Sequence, residues 1–420
     1  MSEAESHAHA GLSAFRQLDF TLYQLERFFV VAGLEMLSVA VGWQVYEITR
    51  RPLDLGYVGL AQFLPNVFLF LLAGHAADRF NRKSILLLCN LAFAGCCGLL
   101  IEITHRGPHN AKPIYVVLVL LGIVRSFNSP AGRSLLPLLV PVEVFPNAVA
   151  WNATMFQGAT ILGPALGGFL YALFGGPAGV YGISVVACGI AIMALVRIRA
   201  RTAVRSKEEF TVRTVLAGLH YIWTHKLILG AISLDLFAVL LGGAVALLPV
   251  YAREILRTGP WGLGLLRASP GVGASVMAIL LAYRPLRQRV GKIMLFCVAG
   301  FGVFTIVFGV SHSLTLSLIS LVLVGASDMV SVVVRGTLVQ IATPDAVRGR
   351  VNAVDMIFIG ASNELGEFES GVTAHWFGTV PAVILGGAGT LLVVGLWAWL
   401  FPELRDADKL TPVQEQASVG

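Results

Sequence analysis

Charged residues inside long apolar runs are the part of this sequence that could do chemistry. A charge in a low-dielectric interior is costly, and such residues usually mark the path of a substrate, an ion or a proton. Asp328 and Arg335 are seven residues apart and share a helical face, as do Glu364 and Glu367 with their spacing of three. The predicted cavity residues are Glu35, Arg125, Asn128, Asp235, Asp328, Arg335, Glu364 and Glu367.

The interior acids outnumber the interior bases. With Glu369 and Arg267 included, six carboxylates face three arginines. Desolvation and repulsion between like charges favour the neutral acid, so we expect at least one carboxylate to hold a proton, as proton coupling requires. Arg125 and Arg335 are each expected to neutralise a glutamate of the pair at 364 and 367. Two other interpretations stay open, namely structural ion pairs and a water-filled cavity that hydrates every charge.

Charges near the ends of apolar runs are left out of this set because they can reach the membrane interface. Arg133 and Asp355 belong to this excluded group. Arg267 lies only about five residues inside the eighth apolar run, and we expect its side chain to reach the outer interface.

Twelve apolar stretches are long enough to hold these residues within a bilayer, since a span needs about 20 residues. They cover residues 27–47, 57–77, 84–104, 113–139, 148–172, 177–197, 227–250, 262–283, 293–311, 315–341, 351–376 and 380–401. The predicted organisation is a cytoplasmic segment 1–26, a six-helix lobe 27–197, a central cytoplasmic loop 198–226, a second six-helix lobe 227–402 and a cytoplasmic tail 403–420.

The overall composition requires lipid as the solvent. Of the 420 residues, 56% are hydrophobic and 13% are charged, against about 25% charged in a typical soluble domain. The net charge of +6 comes from basic residues in short loops, so we expect no nucleic-acid partner. The five cysteines lie in apolar runs without metal-ligand spacing, and we expect buried thiols with no metal site and no cofactor.

Basic residues set the predicted orientation. With both termini inside, the cytoplasmic side holds 21 of the 30 Lys and Arg, and the outer loops hold six. Cytoplasmic loops of membrane proteins carry such an excess of basic residues. The polar, partly acidic first nineteen residues differ from a signal peptide, so helix 1 is expected to stay in the mature protein.

An internal repeat relates the two halves of the chain. Five features recur at one offset of 205 residues, which shared hydrophobicity alone does not explain. The matched features are Val45-Tyr46 with Val250-Tyr251, Gly59 with Gly264, Pro65 with Pro270, Arg79 with Arg284 and Arg82 with Arg287. Repeated six-helix lobes place a binding site at the membrane midplane in two-lobed transporters.

The most specific motif follows the second apolar stretch and reads GHAADRFNRK. It resembles the loop signature of the major facilitator superfamily, G-x-x-x-D-R-x-G-R-K, with Asn81 where that family usually has glycine. The resemblance implies a cytoplasmic gate that braces helix 2 against helix 11, and the glycine is expected to let neighbouring helices approach. The predicted gate residues are Gly74, Asp78, Arg79, Arg82 and Lys83. The alternative is that these charges only set the topology.

A second motif, GPALGG, lies in the fifth apolar stretch and looks like the antiporter-type signature G-P-x-x-G-G of the same superfamily. Its residues are Gly163, Pro164, Gly167 and Gly168. Proline kinks a helix and small residues allow close packing, so helix packing alone is the alternative explanation. The motif favours export only mildly.

The resemblance extends over about residues 20–405. AVGWQVYEIT at 40–49, GLAQFLP at 59–65, TPDAVRGRVNAV at 343–354 and SNELGEFESG at 362–371 look like a bacterial branch of transmembrane secretion effectors and enterobactin exporters. It implies an all-α membrane protein with 12 transmembrane helices in two pseudo-symmetric six-helix lobes. In that fold helices 1, 4, 7 and 10 line the central cavity, and each of the four carries a charge here.

These expectations combine into a secondary active transporter of the bacterial inner membrane. It would export a small molecule (siderophore, drug or metabolite) by alternating access with proton antiport, as a monomer in the bilayer. The chain has no G-x-x-x-x-G-K-[ST] phosphate loop and no metal-spaced histidine pair in a span, so we expect neither an ATP-driven pump nor an enzyme. The alternatives are a proton-linked importer or passive facilitator and a non-transporting receptor or scaffold.

Overall fold

The computed structural model describes residues 13–107, 110–199, 212–286 and 288–408. All regular elements in these residues are helical. Twelve helices have 17 residues or more and are numbered in chain order. They are α1 (Leu18–Thr49), α2 (Pro52–Arg79), α3 (Arg82–His105), α4 (Lys112–Leu135), α5 (Phe145–Phe174), α6 (Pro177–Arg197), α7 (Lys226–Gly242), α8 (Gly259–Tyr283), α9 (Val290–Val310), α10 (Leu314–Ala342), α11 (Asp345–Phe377) and α12 (Thr379–Leu400).

Shorter helical segments join or extend the long helices. They are the 3₁₀ turns Ser13–Arg16, Leu136–Leu138, Val142–Val144 and Ala244–Leu247, the α-helical turns Leu248–Val250 and Pro402–Arg405, the π-helical turn Tyr251–Ile255 and the helix Val212–Thr224. The short helical turns after α7 therefore extend this membrane span as far as residue 255. The span includes the whole of the predicted stretch 227–250.

The first helix begins earlier than the apolar pattern indicated. We placed its start at residue 27, whereas α1 begins at Leu18. Phe20 and Tyr23 are fully buried in a cluster that also contains Leu135 of α4. Tertiary packing of an amphipathic first part therefore extends the helix beyond its apolar run.

The predicted central loop contains a helix, Val212–Thr224, called the connecting helix below. A Cβ added at Gly218 would lie 2.6 Å from the backbone oxygen of Arg350, so the connecting helix lies directly against α11. The Tyr221 hydroxyl donates to the backbone oxygen of Ala342 at 3.1 Å. The connecting helix is thus attached at the junction of α10 and α11.

Ten helical segments of the described chain are long and apolar enough to cross a membrane. The two parts of α2, Pro52–Leu69 and Leu72–Arg79, meet at a bend of 59° and would make an eleventh span together. The long helix α11 is not among them, because acidic and basic residues interrupt its apolar surface. A count near twelve therefore agrees with the sequence prediction.

The chain divides into two compact units. Unit 1 comprises Met1–Thr49 and Leu64–Phe210, and unit 2 comprises Arg50–Phe63 and Thr211–Gly420. The first part of α2 thus groups with the second half of the chain, while the lobe boundaries predicted from the sequence stay a prediction.

The two units repeat the same internal packing. In unit 1, α1 packs on α5 and α6, and α3 packs on α4 and α6. In unit 2, α7 packs on α11 and α12, and α9 packs on α10 and α12. Adding six to each helix number of the four packed pairs in unit 1 gives the four packed pairs in unit 2. This is the repeat that the 205-residue offset in the sequence indicates.

Candidate transport site

Arg335 is the centre of a buried charge cluster in unit 2. Its Nη1 atom lies 3.0 Å from Asp235 Oδ2 and 3.2 Å from Asp355 Oδ1. The three residues belong to α10, α7 and α11, and the side chains of Arg335 and Asp235 are only 4% and 6% exposed. Because α7 packs on both other helices, the fold of the unit rather than spacing along one helix creates the cluster.

Two further groups of α10 belong to this cluster. The Ser331 hydroxyl donates to Asp235 Oδ1 at 3.1 Å, and Asp328 interacts electrostatically with both Asp235 and Arg335. Asp328 and Arg335 therefore share a partner, as their common helical face indicated. The Nε atom of Arg335 is buried without a hydrogen-bond partner among the described residues. Two carboxylates thus contact one guanidinium, and a third lies within electrostatic reach of it.

Asp355 is the member of the cluster that sequence reasoning excluded. It falls near the start of the predicted stretch 351–376, from where a carboxylate can reach the interface. In the structure α11 begins at Asp345, and the Asp355 side chain is 14% exposed beside Arg335. The expectation that Asp355 reaches the interface was therefore wrong, since the helix starts more than a turn earlier.

Glu367 has an arginine neighbour that the sequence did not predict. Its Oε1 atom lies 4.0 Å from Nη2 of Arg267, whose side chain is 16% exposed, so Arg267 points to this acid rather than to the outer interface. Arg335, which we expected to neutralise a glutamate of α11, pairs with two aspartates. A Cβ at Gly59 would lie 2.8 Å from Glu367 Oε2, so this glycine leaves room for the carboxylate. Glu364 is half-buried one turn earlier.

Unit 1 holds the other predicted cavity residues. Glu35 on α1 and Asn128 on α4 are half-buried, and Arg125 on α4 is exposed. A Cβ at Gly163 would lie 2.6 Å from the Cβ of Glu35, so α5 restricts the position of this carboxylate. The part of these residues in binding stays a prediction.

The glycines of the α5 motif allow close contact with α1. A Cβ at Gly167 would lie 2.8 Å from Met36 Cα, and a Cβ at Gly163 would lie 3.0 Å from the backbone oxygen of Ala32. Gly168 is also buried. Pro164 is buried inside α5, where it lacks the backbone donor of a helical residue. The motif therefore has a clear packing role, and its part in antiport stays a prediction.

A buried carboxylate of α1 was missed because it precedes the predicted start of the helix. Glu26 is 3% exposed, and its Oε1 atom accepts a hydrogen bond from Asn90 Nδ2 at 2.9 Å. The backbone oxygen of Asn90 accepts from the Cys188 thiol at 2.8 Å. These contacts connect α1, α3 and α6. The available sequence signal was the position of Glu26 one turn after the aromatic Tyr23.

The loop between α2 and α3 explains why asparagine replaces the usual glycine of the gate motif. Asn81 is the N-cap of α3, and its Oδ1 atom accepts from the backbone nitrogen of Lys83 at 3.0 Å. Asparagine is among the preferred N-cap residues. The Lys83 ammonium donates to the backbone oxygens of Val196 at 2.9 Å and Ile198 at 2.6 Å. Lys83 therefore connects the motif to the end of α6.

The remaining gate residues lie at the end of α2 and the start of α3. Arg82 Nε donates to the backbone oxygen of Ala77 at 3.3 Å, Asp78 is half-buried and Arg79 is exposed. A Cβ at Gly74 would meet no atom within 4 Å among the described residues. In this conformation the motif therefore does not need Gly74 for a close helix contact.

We expect Asp78→Asn to impair transport much more than stability. The aspartate lies half-buried in the last turn of α2, within a motif that should exchange contacts between conformations, so its contribution to the free energy differs between the two states. The measurement is the initial transport rate in proteoliposomes beside the thermal unfolding midpoint of the purified protein. Asp406→Asn, which removes an exposed acid paired with Arg405, serves as the control. A normal transport rate in the Asp78 variant would contradict the gate assignment.

Comparison with known proteins decides the family. The profile of the family described as transmembrane secretion effector matches residues 9–417. The chain belongs to this family. The chain is 28% identical over 406 residues to the enterobactin exporter EntS of Citrobacter koseri, with 94% of each chain covered. It is 27% identical over 409 residues to the protein of that name from Escherichia coli O157:H7, again with 94% of each chain covered.

Solved structures with the same fold are transporters. The nucleoside transporter NupG has a TM-score of 0.69 at 12% identity, covering 91% of this chain and 99% of that chain. A D-xylose–proton symporter has a TM-score of 0.68 at 15% identity, covering 92% of this chain and 98% of that chain. At this identity the likeness concerns the fold alone, and it confirms the predicted major facilitator fold. The family match and the exporter relatives, together with the membrane-spanning helices, make this chain a multi-pass membrane transporter and not an enzyme.

Proposed function

We propose that this protein exports a small molecule by alternating access, in exchange for protons. The Arg335 cluster is the observation that carries the proposal. Within unit 2, two carboxylates contact the Arg335 guanidinium and the third, Asp328, lies within electrostatic reach of it. If all three were ionised, the negative charge would exceed the positive charge in a site of low dielectric constant. One acid therefore holds a proton in at least one conformation.

The geometry of Arg335 suggests how the proton is coupled to movement. A single nitrogen, Nη1, contacts both Asp235 and Asp355, while Ser331 orients Asp235. A shift of the guanidinium by a few ångström therefore exchanges one acid for the other. The acid that loses the arginine takes a proton from water onto a carboxylate oxygen, and it releases that proton when the arginine returns. Asp328 is a third acceptor within electrostatic reach.

Two observations favour export over import. The matched relatives are named exporters of enterobactin, and the α5 sequence has the antiporter-type pattern that packs α5 against α1. Siderophores, drugs and metabolites are the candidate substrates. A proton-linked importer or a passive facilitator is the second candidate function, because the same fold includes a D-xylose–proton symporter.

Transport in proteoliposomes with imposed pH gradients of both signs tests the proposal. Cationic drugs, siderophores and metabolites are screened as radiolabelled substrates. Proton antiport accumulates substrate in the lumen only when the lumen is the more acidic side. Proton symport accumulates it under the opposite gradient, and a facilitator equilibrates it without accumulation. Either of the last two results contradicts the proposed function.

The two glutamates of α11 are a second proposed coupling site. We expect Glu364→Gln or Glu367→Gln to abolish accumulation driven by a pH gradient, while downhill exchange survives better because glutamine mimics the protonated acid. Accumulation and exchange are measured in the same proteoliposomes. If both variants still accumulate substrate, the proton is carried elsewhere, and the carboxylates of the Arg335 cluster and Glu35 are tested next.

The same proposal includes the placement of the protein in the inner membrane. Both termini and the connecting helix would face the cytoplasm, and the protein would act as a monomer. Cysteines introduced at Pro108 and Ser206, which lie outside the described residues, distinguish the orientations through an impermeant thiol reagent. Four of the five native cysteines are buried, so the background labelling is low.

A further inference from the structure

Two arginines of unit 1 lie close together where α1, α4 and α5 meet. Arg27 belongs to α1 and Arg133 to the last turn of α4. The Tyr23 hydroxyl donates to the backbone oxygen of Gly132 at 2.9 Å, which fixes the two helices against each other. A Cβ added at Gly132 would lie 3.8 Å from Arg27 Nη1. The two guanidinium groups are near enough for their positive charges to interact.

The hydrogen-bond and ring contacts of Arg27 are made with uncharged groups. Its Nη1 atom donates to the Tyr23 hydroxyl at 3.3 Å, and its guanidinium carbon lies 5.5 Å from the centroid of the Phe156 ring. Its Nε atom is buried without a hydrogen-bond partner among the described residues. Glu26 precedes it in the chain, but that carboxylate hydrogen-bonds to Asn90 on α3. A guanidinium offers five donors, so Arg27 has donors left for a ligand.

The surroundings of the two arginines are accessible and polar. The Arg133 side chain is exposed, and Phe156 is 42% exposed. Gln24 is buried one turn before Arg27 on α1, and its Nε2 atom donates to Asn152 Oδ1 at 3.5 Å. Its Oε1 atom has no hydrogen-bond partner among the described residues. Two cations, a partly exposed aromatic ring and a buried amide are thus found in this part of unit 1.

We propose that Arg27 and Arg133, together with the ring of Phe156, form a subsite for an oxyanion group of the transported molecule. Guanidinium groups bind carboxylates and phosphates through paired, charge-assisted hydrogen bonds. An anion between the two arginines removes their mutual repulsion and occupies donors that Arg27 leaves unused. The ring of Phe156 stacks against a planar apolar part of the same ligand.

The subsite gives the two units different tasks. Unit 2 concentrates carboxylates around Arg335 and thus offers groups for protons, whereas unit 1 offers cations for the cargo. The excess of interior acid therefore does not require a cationic substrate. This inference rests on the proposed export function, because the anion is a part of the exported molecule.

Binding of radiolabelled benzoate to the full-length protein in nanodiscs tests the subsite. Benzoate combines a carboxylate with a planar ring, and benzamide and benzamidine are its neutral and cationic counterparts. We expect saturable benzoate binding with which benzamidine does not compete. Arg27→Gln and Arg133→Gln should each weaken it by at least tenfold, and Arg27→Lys should retain a part of it. Arg106→Gln, at an exposed arginine paired with Glu102, serves as the matched control and should bind normally.

Several outcomes would overturn the subsite. They are the absence of saturable benzoate binding to the wild-type protein, equal competition by benzamidine, and wild-type affinity in both glutamine variants. Each variant is first checked for monodisperse elution, and Arg133, being exposed, tolerates replacement even if Arg27 does not. Binding is measured without any gradient. Intact arginine-dependent binding without proton-driven transport would therefore contradict the proposed function and leave the subsite standing.

Discussion

Replacement of Arg335 by glutamine is expected to destabilise unit 2 and to abolish proton-driven transport. The change leaves Asp235 and Asp355 buried without their shared cation. Removal of one partner from a buried ion pair costs about 3–5 kcal/mol, because the remaining charge is uncompensated. The unfolding midpoint can be followed with a thiol-reactive dye, since heating exposes Cys297 of α9 and the buried cysteines of unit 1.

A quadruple variant separates stability from coupling in this experiment. Asp235→Asn, Asp328→Asn, Arg335→Gln and Asp355→Asn together remove every charge of the cluster. We expect this protein to recover most of the lost stability, because no buried charge of the cluster remains unpaired. It should still fail to accumulate substrate under a pH gradient. A single Arg335→Gln protein with wild-type stability and accumulation would show that the cluster is not needed for either property.

Replacement of Gly167 by alanine is expected to force α5 away from α1. The new methyl group would lie 2.8 Å from Met36 Cα and 2.9 Å from the backbone oxygen of Met36. Backbone atoms cannot rotate away as a side chain does, so the two helices must separate. Overpacking of this kind costs about 1–3 kcal/mol. Because Gly163 contacts Glu35 one turn earlier, the transport rate should also fall.

Gly95→Ala provides the matched control for this substitution. Gly95 lies inside α3, and a Cβ there would meet no atom within 4 Å among the described residues. Alanine is favoured over glycine in a helix interior by about 1 kcal/mol, so the control should be as stable as the wild type or more so. If both alanine variants unfold at the wild-type temperature, close contact between α1 and α5 does not depend on Gly167.

Sequence patterns were reliable wherever a property depends on neighbours along one helix. The apolar runs predicted the α-helical segments, because a span must be apolar over a fixed length to lie in lipid. The seven-residue spacing of Asp328 and Arg335 predicted a shared face, and the two residues do belong to one cluster. The constant offset of 205 residues predicted the repeat of helix pairs in the two units.

Motif resemblance supplied the family, which periodicity alone could not. The loop signature from Gly74 to Lys83 and the α5 motif pointed to the major facilitator superfamily. Even so, the one departure from the signature, Asn81, received its explanation only from the structure, where the side chain caps α3. The residue type at a motif position therefore does not by itself reveal which groups the side chain contacts.

Only the tertiary structure decided which charges meet. Asp355 joined the Arg335 cluster because α11 starts at Asp345, and Arg267 turned to Glu367 rather than to the outer interface. Packing of Phe20 and Tyr23 extends α1 to Leu18, so Glu26 is buried and Arg27 is half-buried within the helix. Local hydrophobicity determines whether a segment is a helix in lipid. It was therefore sufficient to predict that the protein is a helical membrane protein. The partner of a buried charge depends on helices that are distant in the chain, and their packing fixes it.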